Sequence, residues 1–103
     1  MALFKVTQTM LDKSIQDANK DICKFLLDNN FIDYNELTKK VYLPCKLQVA
    51  VGSPRKPSRI SCYKTTRGDK RIWIKGLKNI SKAGDILNLK INNKEIIVHN
   101  LTK

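Results

Sequence analysis

Hydrophobic residues near the start of the chain recur at the spacing of an α-helix. They fall three or four positions apart, at Met10, Leu11, Ile15, Ala18, Ile22, Phe25 and Leu26. Thr9 is a suitable N-cap, and Asn29 and Asn30 are residues that commonly end helices. The pattern predicts a short strand over 2–7 and then one long helix over 9–28, with Ile15, Ile22 and Phe25 buried. We expect its apolar stripe to pack on a sheet; a docking helix for a partner is the alternative.

A second, shorter helix is predicted directly after the first. Asp33 is placed to cap a helix from Tyr34 to Lys39, and Leu37 would point back to the core. Two helices in succession also suggest a winged-helix DNA-binding domain. The second helix is too short and too acidic to read a major groove, so we do not favour that interpretation.

From residue 41 onward the pattern changes to the alternation of β-strands. Over 41–51 one face carries Val41, Leu43, Leu47, Val49 and Val51, and Pro44 restricts the start of the run to a sheet edge or a bulge. Two hairpins follow, 59–65 with 71–77 and 85–91 with 95–101. We therefore predict one α+β domain over 1–103. A long N-terminal helix and a short second helix pack on a five- or six-stranded, mainly antiparallel barrel or twisted sheet.

Charge is the unusual feature of the composition. The 103 residues carry a formal net charge of +11, with 42% hydrophobic residues, which is ordinary for a globular domain. Residues 1–51 hold seven basic and six acidic groups, whereas residues 52–103 hold thirteen basic and three acidic. Such a local excess of positive charge favours a polyanionic partner, nucleic acid above all.

The cysteines and the start of the chain indicate the compartment. The chain has an odd number of cysteines, and their spacing is not that of zinc ligands; they are Cys23, Cys45 and Cys62. We therefore expect reduced, buried thiols and no metal or cofactor. The first ten residues lack the basic and long apolar regions of a signal peptide. No apolar stretch is long enough to span a membrane. These features predict a cytoplasmic protein that does not bind membranes.

The first hairpin separates a core face from a chemically unusual face. Ile60, Cys62, Ile72 and Ile74 share one side by alternation. The other side carries Arg59, Ser61, Tyr63, Thr65, Arg71, Trp73 and Lys75. Aromatic rings among basic groups suit nucleic acid, because cations neutralise phosphates and rings stack on bases. The alternative for Trp73 is that it packs beneath the long helix or another loop.

Two basic loops flank this hairpin face. One spans 54–59 and is stiffened by prolines; the other, 67–71, forms the hairpin tip. The candidate nucleic-acid-binding residues are Arg55, Lys56, Arg59, Tyr63, Arg67, Lys70, Arg71, Trp73, Lys75 and Lys78. Two modes stay open. In one, Tyr63 and Trp73 stack on single-stranded bases; in the other, the arginines read the major groove of duplex DNA.

Little in the sequence points to catalysis. The four glycines form no phosphate-binding loop, and His99 is the single histidine. The strand-rich half contains just three acidic residues, Asp69, Asp85 and Glu95. A metal-dependent nuclease needs two or three converging carboxylates, so we predict that the protein is not an enzyme. The second functional hypothesis is a small basic adaptor or inhibitor that binds an acidic protein surface.

Two local stretches resemble a known family. The run 66–72, Thr-Arg-Gly-Asp-Lys-Arg-Ile, with Gly76 after it, is similar to a stretch of the DNA-recognition domains in some type II restriction endonucleases. Val41 to Pro44 looks like the strand after that family's first helix. The resemblance implies a pseudobarrel that clamps the major groove with two basic arms. It would place Arg67, Lys70 and Arg71 on one arm, with 55–59 near it, and it favours DNA over RNA. An oligonucleotide-binding barrel is the alternative fold.

Overall fold

The structure is a computed structural model, and it describes residues 2–13 and 16–102. These residues form seven strands and three short helices. In chain order they are β1 (Ala2–Lys5), α1 (Gln8–Lys13), β2 (Gln16–Asp17), α2 (Lys20–Asp28), β3 (Val41–Gln48), β4 (Lys56–Lys64), β5 (Lys70–Ile74), α3 (Leu77–Ile80), β6 (Ile86–Asn92) and β7 (Glu95–Asn100). The α+β class is as predicted.

All seven strands belong to one curled sheet that forms a half-barrel. Their order is β1-β6-β7-β3-β4-β5-β2, and β3 runs parallel to β7 while the other pairs are antiparallel. The predicted five or six strands are therefore one or two too few. Near the two edges of the sheet, the Asn19 side chain donates a hydrogen bond to the carbonyl of Leu3 (3.4 Å). This bond links the segment after β2 to β1 and helps to hold the curl.

The prediction of one helix over 9–28 is wrong. The chain instead forms α1 and α2, with β2 between them. Gln16 pairs with Ile72 of β5, so sheet pairing has overridden the helical periodicity. The second helix starts at its own cap, because Asn19 accepts a hydrogen bond from the backbone N–H of Ile22 (2.8 Å). Ile22 and Phe25 are buried as predicted; Ile15 lies outside the described residues.

The predicted helix from Tyr34 to Lys39 is also wrong. Residues 34–36 form a turn, in which the Asp33 carboxylate accepts from the backbone N–H of Asn35 (2.9 Å). The Asp33 side chain thus stabilises a single turn by accepting from a backbone N–H two residues on, as aspartate commonly does in turns, and no helix follows. The segment is fixed by Tyr34, whose buried hydroxyl donates to the backbone carbonyl of Arg71 (2.9 Å). This hydrogen bond ties Tyr34 to β5, so the segment makes one turn and does not continue as a helix.

The strand predictions agree more closely with the structure than the helix predictions do. The first hairpin has the predicted core face, and in its register Ile60 lies opposite Ile74 and Cys62 opposite Ile72. All four of these side chains are buried in the core. Pro44 lies just before the part of β3 that pairs with β7, so at Pro44 the strand has β4 as its neighbour. Val51 is 83% exposed, because β3 ends at Gln48 before the predicted alternation does.

The second hairpin turns at Asn93 and Lys94, one residue later than predicted. Both have positive φ, at 52° and 65°, in the left-handed region that asparagine tolerates better than most residues. The core lies between the inner face of the sheet and α2, which contributes Ile22, Phe25 and Leu26. None of the described helices is long and apolar enough to cross a membrane.

The three cysteines are free thiols, and two of them are buried as predicted. Cys45 and Cys62 are buried, and burial raises the pKa of Cys45 to about 12 and that of Cys62 to about 11. Cys23 is half-buried, and burial also raises its pKa. Thiols with raised pKa values are weak nucleophiles at neutral pH, so these three side chains serve packing.

Candidate nucleic-acid interface

The face of β3, β4 and β5 that points away from the core carries an aromatic row. We call it the outer face. Ser61 of β4 lies between Tyr42 of β3 and Trp73 of β5 in the strand register. Tyr63 follows two residues along β4 on the same side, so three aromatic rings surround one small side chain.

Two cations stand over rings of the outer face. The Arg59 guanidinium lies 4.9 Å from the centre of the Tyr42 ring, and the Lys40 ammonium lies 5.1 Å from that of Tyr63. Both distances are within the range of cation–π attraction. Lys40 and Arg59 are exposed, so their charges are available to a ligand as well as to the rings.

A shallow hollow of about 210 Å³ opens at the centre of this arrangement. It is lined by Lys40, Ser61, Tyr63 and Trp73. Ser61 is 1% exposed, and its hydroxyl oxygen has no hydrogen-bond partner among the described residues. A buried polar group without a partner is uncommon in folded proteins and needs an explanation.

Trp73 is half-buried and lies between two environments. One side lines the hollow beside Ser61, and the other lines a second cavity of about 200 Å³ with Met10 and Leu11 of α1. Trp73 therefore shares a cavity with α1, which lies at the start of the segment where the alternative interpretation places the long helix. The predicted register holds, with the ring on the outer face.

At the hairpin tip, the predicted arginines are engaged by acidic side chains. Arg67 contacts the Asp69 carboxylate at 3.2 Å, and Arg71 contacts the same carboxylate at 3.5 Å. Arg71 also lies 3.3 Å from Asp17 of β2. The side chain of Arg71 is just 20% exposed, whereas that of Arg67 is 82% exposed. Two carboxylates thus offset much of the positive charge at the tip.

Further basic residues border a groove beyond Arg59. This groove has a volume of about 800 Å³, and its cationic lining is Lys56, Arg59 and Lys75. Lys75 follows β5 directly beside Arg59, to whose carbonyl it donates a backbone hydrogen bond (3.1 Å). The groove joins the outer face at Arg59, so the two surfaces form one basic region.

Three predicted residues do not lie on the outer face itself. Arg55 donates through Nε to the Gln48 side chain (3.2 Å) at the far end of β3. Lys70 shares the pleat side of Ile72 at the start of β5, and Lys78 lies on α3. The fold therefore gathers Arg59, Tyr63, Trp73 and Lys75, with Lys56 at the groove. It does not bring Arg55 or Lys70 to the same surface, whereas Lys78 borders that surface, because it lines the second cavity with Trp73.

Two residues of the outer face were missed by the sequence prediction. Tyr42 alternates with Val41 and Leu43 and so points away from the core, but its place beside Ser61 depends on the pairing of β3 with β4. Lys40 lies in the loop before β3, in the less basic half of the chain. The outward position of Tyr42 was readable from the alternation; the position of Lys40 over Tyr63 was not.

Another polar cluster lies beside Arg55. His99 is buried on β7 in register with Gln48 and Asn88, and its Nδ1 is 3.4 Å from the Lys90 ammonium. Burial lowers the pKa of His99, and the positive charges of Lys90 and Arg55 lower it further.

Metal-ligating side chains are scattered over the part of the chain that the structure describes. Within 2–13 and 16–102, no three His, Cys, Asp or Glu side chains are grouped so as to hold a metal ion. Comparisons of the chain with protein-family models, with curated proteins and with solved structures gave no match.

Proposed function

We propose that the protein is a non-enzymatic nucleic-acid-binding module that uses the outer face of β3–β5. The observation that carries this proposal is the cation-flanked row of Tyr42, Tyr63 and Trp73 around Ser61. Nucleic acids combine a polyanionic backbone with flat apolar bases, and this surface offers a complement to both.

Affinity would come from exposed cations at the two ends of the aromatic row. Lys40 lies at the Tyr63 end; Arg59, Lys75 and Lys56 lie at the other, where the groove begins. Each lysine or arginine that neutralises a phosphate releases condensed counterions. Binding should therefore weaken steeply as salt is added.

The paired arginines at the hairpin tip make the tip a weaker anchor than the outer face. To contact a base edge, Arg71 would have to leave Asp17 and Asp69. Arg67 is exposed and has one carboxylate to leave. The resemblance to restriction-enzyme recognition domains still favours DNA, and a tip that enters the major groove is the competing mode on the same ligand.

The test is a binding series with duplex DNA, single-stranded DNA, RNA and heparin at several salt concentrations. We expect binding to nucleic acid with a clear log–log salt dependence. If the outer face is the main contact, Trp73→Ala should weaken binding by about 1–3 kcal/mol. If the tip is, Arg67→Ala should do so instead.

Two outcomes would count against the proposal. A salt slope near zero would mean that phosphates are not contacted. Binding to heparin with none to DNA or RNA would favour the other candidate, an adaptor for an acidic protein surface, because electrostatic steering acts on any polyanion. Incubation of DNA or RNA with the protein and Mg²⁺ or Mn²⁺ checks the non-enzymatic part, and cleavage products would contradict it.

A further inference from the structure

We propose that the hollow at Ser61 seats a single unstacked nucleobase. This inference rests on the proposed function and narrows its ligand to nucleic acid that offers an unpaired or extruded base. The hollow combines a flat aromatic surrounding, an unpartnered hydroxyl and a cation at its rim, and these three features match the ring, the polar edge and the phosphate of one nucleotide.

The strand register makes the hollow. Tyr42, Ser61 and Trp73 are adjacent across three strands, so a side chain of one Cβ and one hydroxyl sits between two large rings. Of the three rings, Tyr63 and Trp73 line the hollow itself, and Tyr42 flanks Ser61 on the other strand. Ser61 is covered by the surrounding side chains, so the open space of the hollow lies above it, between the Tyr63 and Trp73 rings. Aromatic rings attract the faces of bases whatever their sequence.

The Ser61 hydroxyl lies beneath the floor of the hollow. Its oxygen is buried by the surrounding side chains and has no hydrogen-bond partner among the described residues. An unmade buried hydrogen bond is costly, whereas the edge of every base carries donors and acceptors. A base that parts the rings would supply the partner that the hydroxyl lacks.

The Lys40 ammonium stands over Tyr63 at the rim of the hollow. A base that enters here brings its own 5′ and 3′ phosphates to the rim, within reach of an exposed lysine. Bases of an intact duplex are stacked and paired, so they enter only after extrusion, at a cost of a few kcal/mol. Single strands and bulges avoid that cost.

The experiment compares three duplexes of one sequence: fully paired, with a single-adenine bulge, and with an abasic residue in place of that adenine. The last two share their phosphates and differ in one base. We expect the adenine bulge to bind about five- to 150-fold more tightly than the abasic bulge, the range for one stacked base. Trp73 is the single tryptophan, and its fluorescence should be quenched by the adenine bulge more than by the abasic one.

Two substitutions of Ser61 separate filling the hollow from removing its hydroxyl. Ser61→Leu fills the space and should abolish the adenine preference, while the salt dependence of binding stays. Ser61→Ala keeps the space and should reduce the preference by about two- to 13-fold, the loss of one hydrogen bond. A thermal unfolding measurement shows whether each variant folds. If Ser61→Leu does not fold, the test rests on Ser61→Ala, which is the smaller change.

The outcomes distinguish this inference from the proposed function. Equal, salt-dependent binding of the adenine and abasic bulges would overturn the base seat and leave nucleic-acid binding intact. An adenine preference that survives Ser61→Leu in a folded protein would also overturn the seat, because the base would then lie elsewhere. Absence of binding to all three duplexes and to the matching single strands would overturn both.

Discussion

Removal of the two cations that stand over aromatic rings gives the sharpest test of the outer face. We consider the double variant Lys40→Ala with Arg59→Ala. The Lys40 ammonium lies 5.1 Å from the centre of the Tyr63 ring and the Arg59 guanidinium 4.9 Å from that of Tyr42. Both are exposed, so each cation–π contact contributes only about 0.5–1 kcal/mol to folding. The variant should remain folded, with a free energy of unfolding lower by at most about 2 kcal/mol.

The effect on binding should be larger. On duplex DNA each lost phosphate contact lowers the log–log salt slope by about 0.9, so two contacts lower it by about 1.8. If the affinity extrapolated to 1 M salt is unchanged, this difference corresponds to about 60-fold weaker binding at about 0.1 M salt. Fluorescence anisotropy of a labelled oligonucleotide over a salt series measures both quantities.

The matched control removes the same charge from the opposite side of the molecule. Lys20→Ala with Lys24→Ala acts on exposed residues of α2, whose apolar side covers the inner face of the sheet. Long-range attraction falls off over about 10 Å at 0.1 M salt, so this control should change the slope little. Equal slopes for the two double variants would refute the assignment of phosphate contacts to the outer face.

Three further predictions concern stability and charge. Tyr34→Phe removes the hydroxyl that donates to the Arg71 carbonyl and should lower the free energy of unfolding by about 0.5–1.5 kcal/mol in a denaturant titration; an unchanged midpoint would contradict it. Burial lowers the pKa of His99 in the folded protein, so as the pH falls His99 is protonated in the unfolded chain before it is protonated in the folded one. The free energy of unfolding should therefore decrease below about pH 6.5, and it should decrease less in His99→Gln. Asp69→Asn frees Arg67, whereas Arg71 keeps its contact with Asp17; it should tighten DNA binding and steepen its salt slope by up to about 0.9, and weaker binding would assign Asp69 a positioning role.

The hairpins were predictable because their signal is local. Alternation of Ile60, Cys62, Ile72 and Ile74 determines which face is buried, and a slip by one residue would expose all four. The structure buries all four to 1% exposure or less. The outward orientation of the Arg59, Tyr63 and Trp73 side chains follows from the same alternation, so much of the candidate site was readable from the sequence.

The N-terminal segment was not predictable, because its structure depends on a distant partner. The apolar spacing over 9–28 fits a helix throughout, yet Gln16 and Asp17 pair with β5, more than fifty residues later. Helical periodicity is a weak constraint when a strand edge offers unpaired backbone groups. The same strand, β2, brings Asp17 to Arg71. The ion pair between these two residues was therefore not predictable from the sequence either.

The size of the outer face sets how strongly it alone can hold DNA. Tyr63 and Arg59 are four residues apart on β4, which at about 3.3 Å per residue spans about 13 Å. A strand of B-form DNA advances about 3.4 Å per nucleotide, so the face meets about four steps. Lys40, Arg59 and Lys75 border that span, and Lys56 lies three residues beyond Arg59 on β4, at the groove. Full engagement of these four cations gives a salt slope of about −3.6. A measured slope far steeper than this would mean that phosphates are also held outside the outer face, with the hairpin tip as the nearest basic surface; a shallower one would mean that some of the four lysines and arginines stay in water.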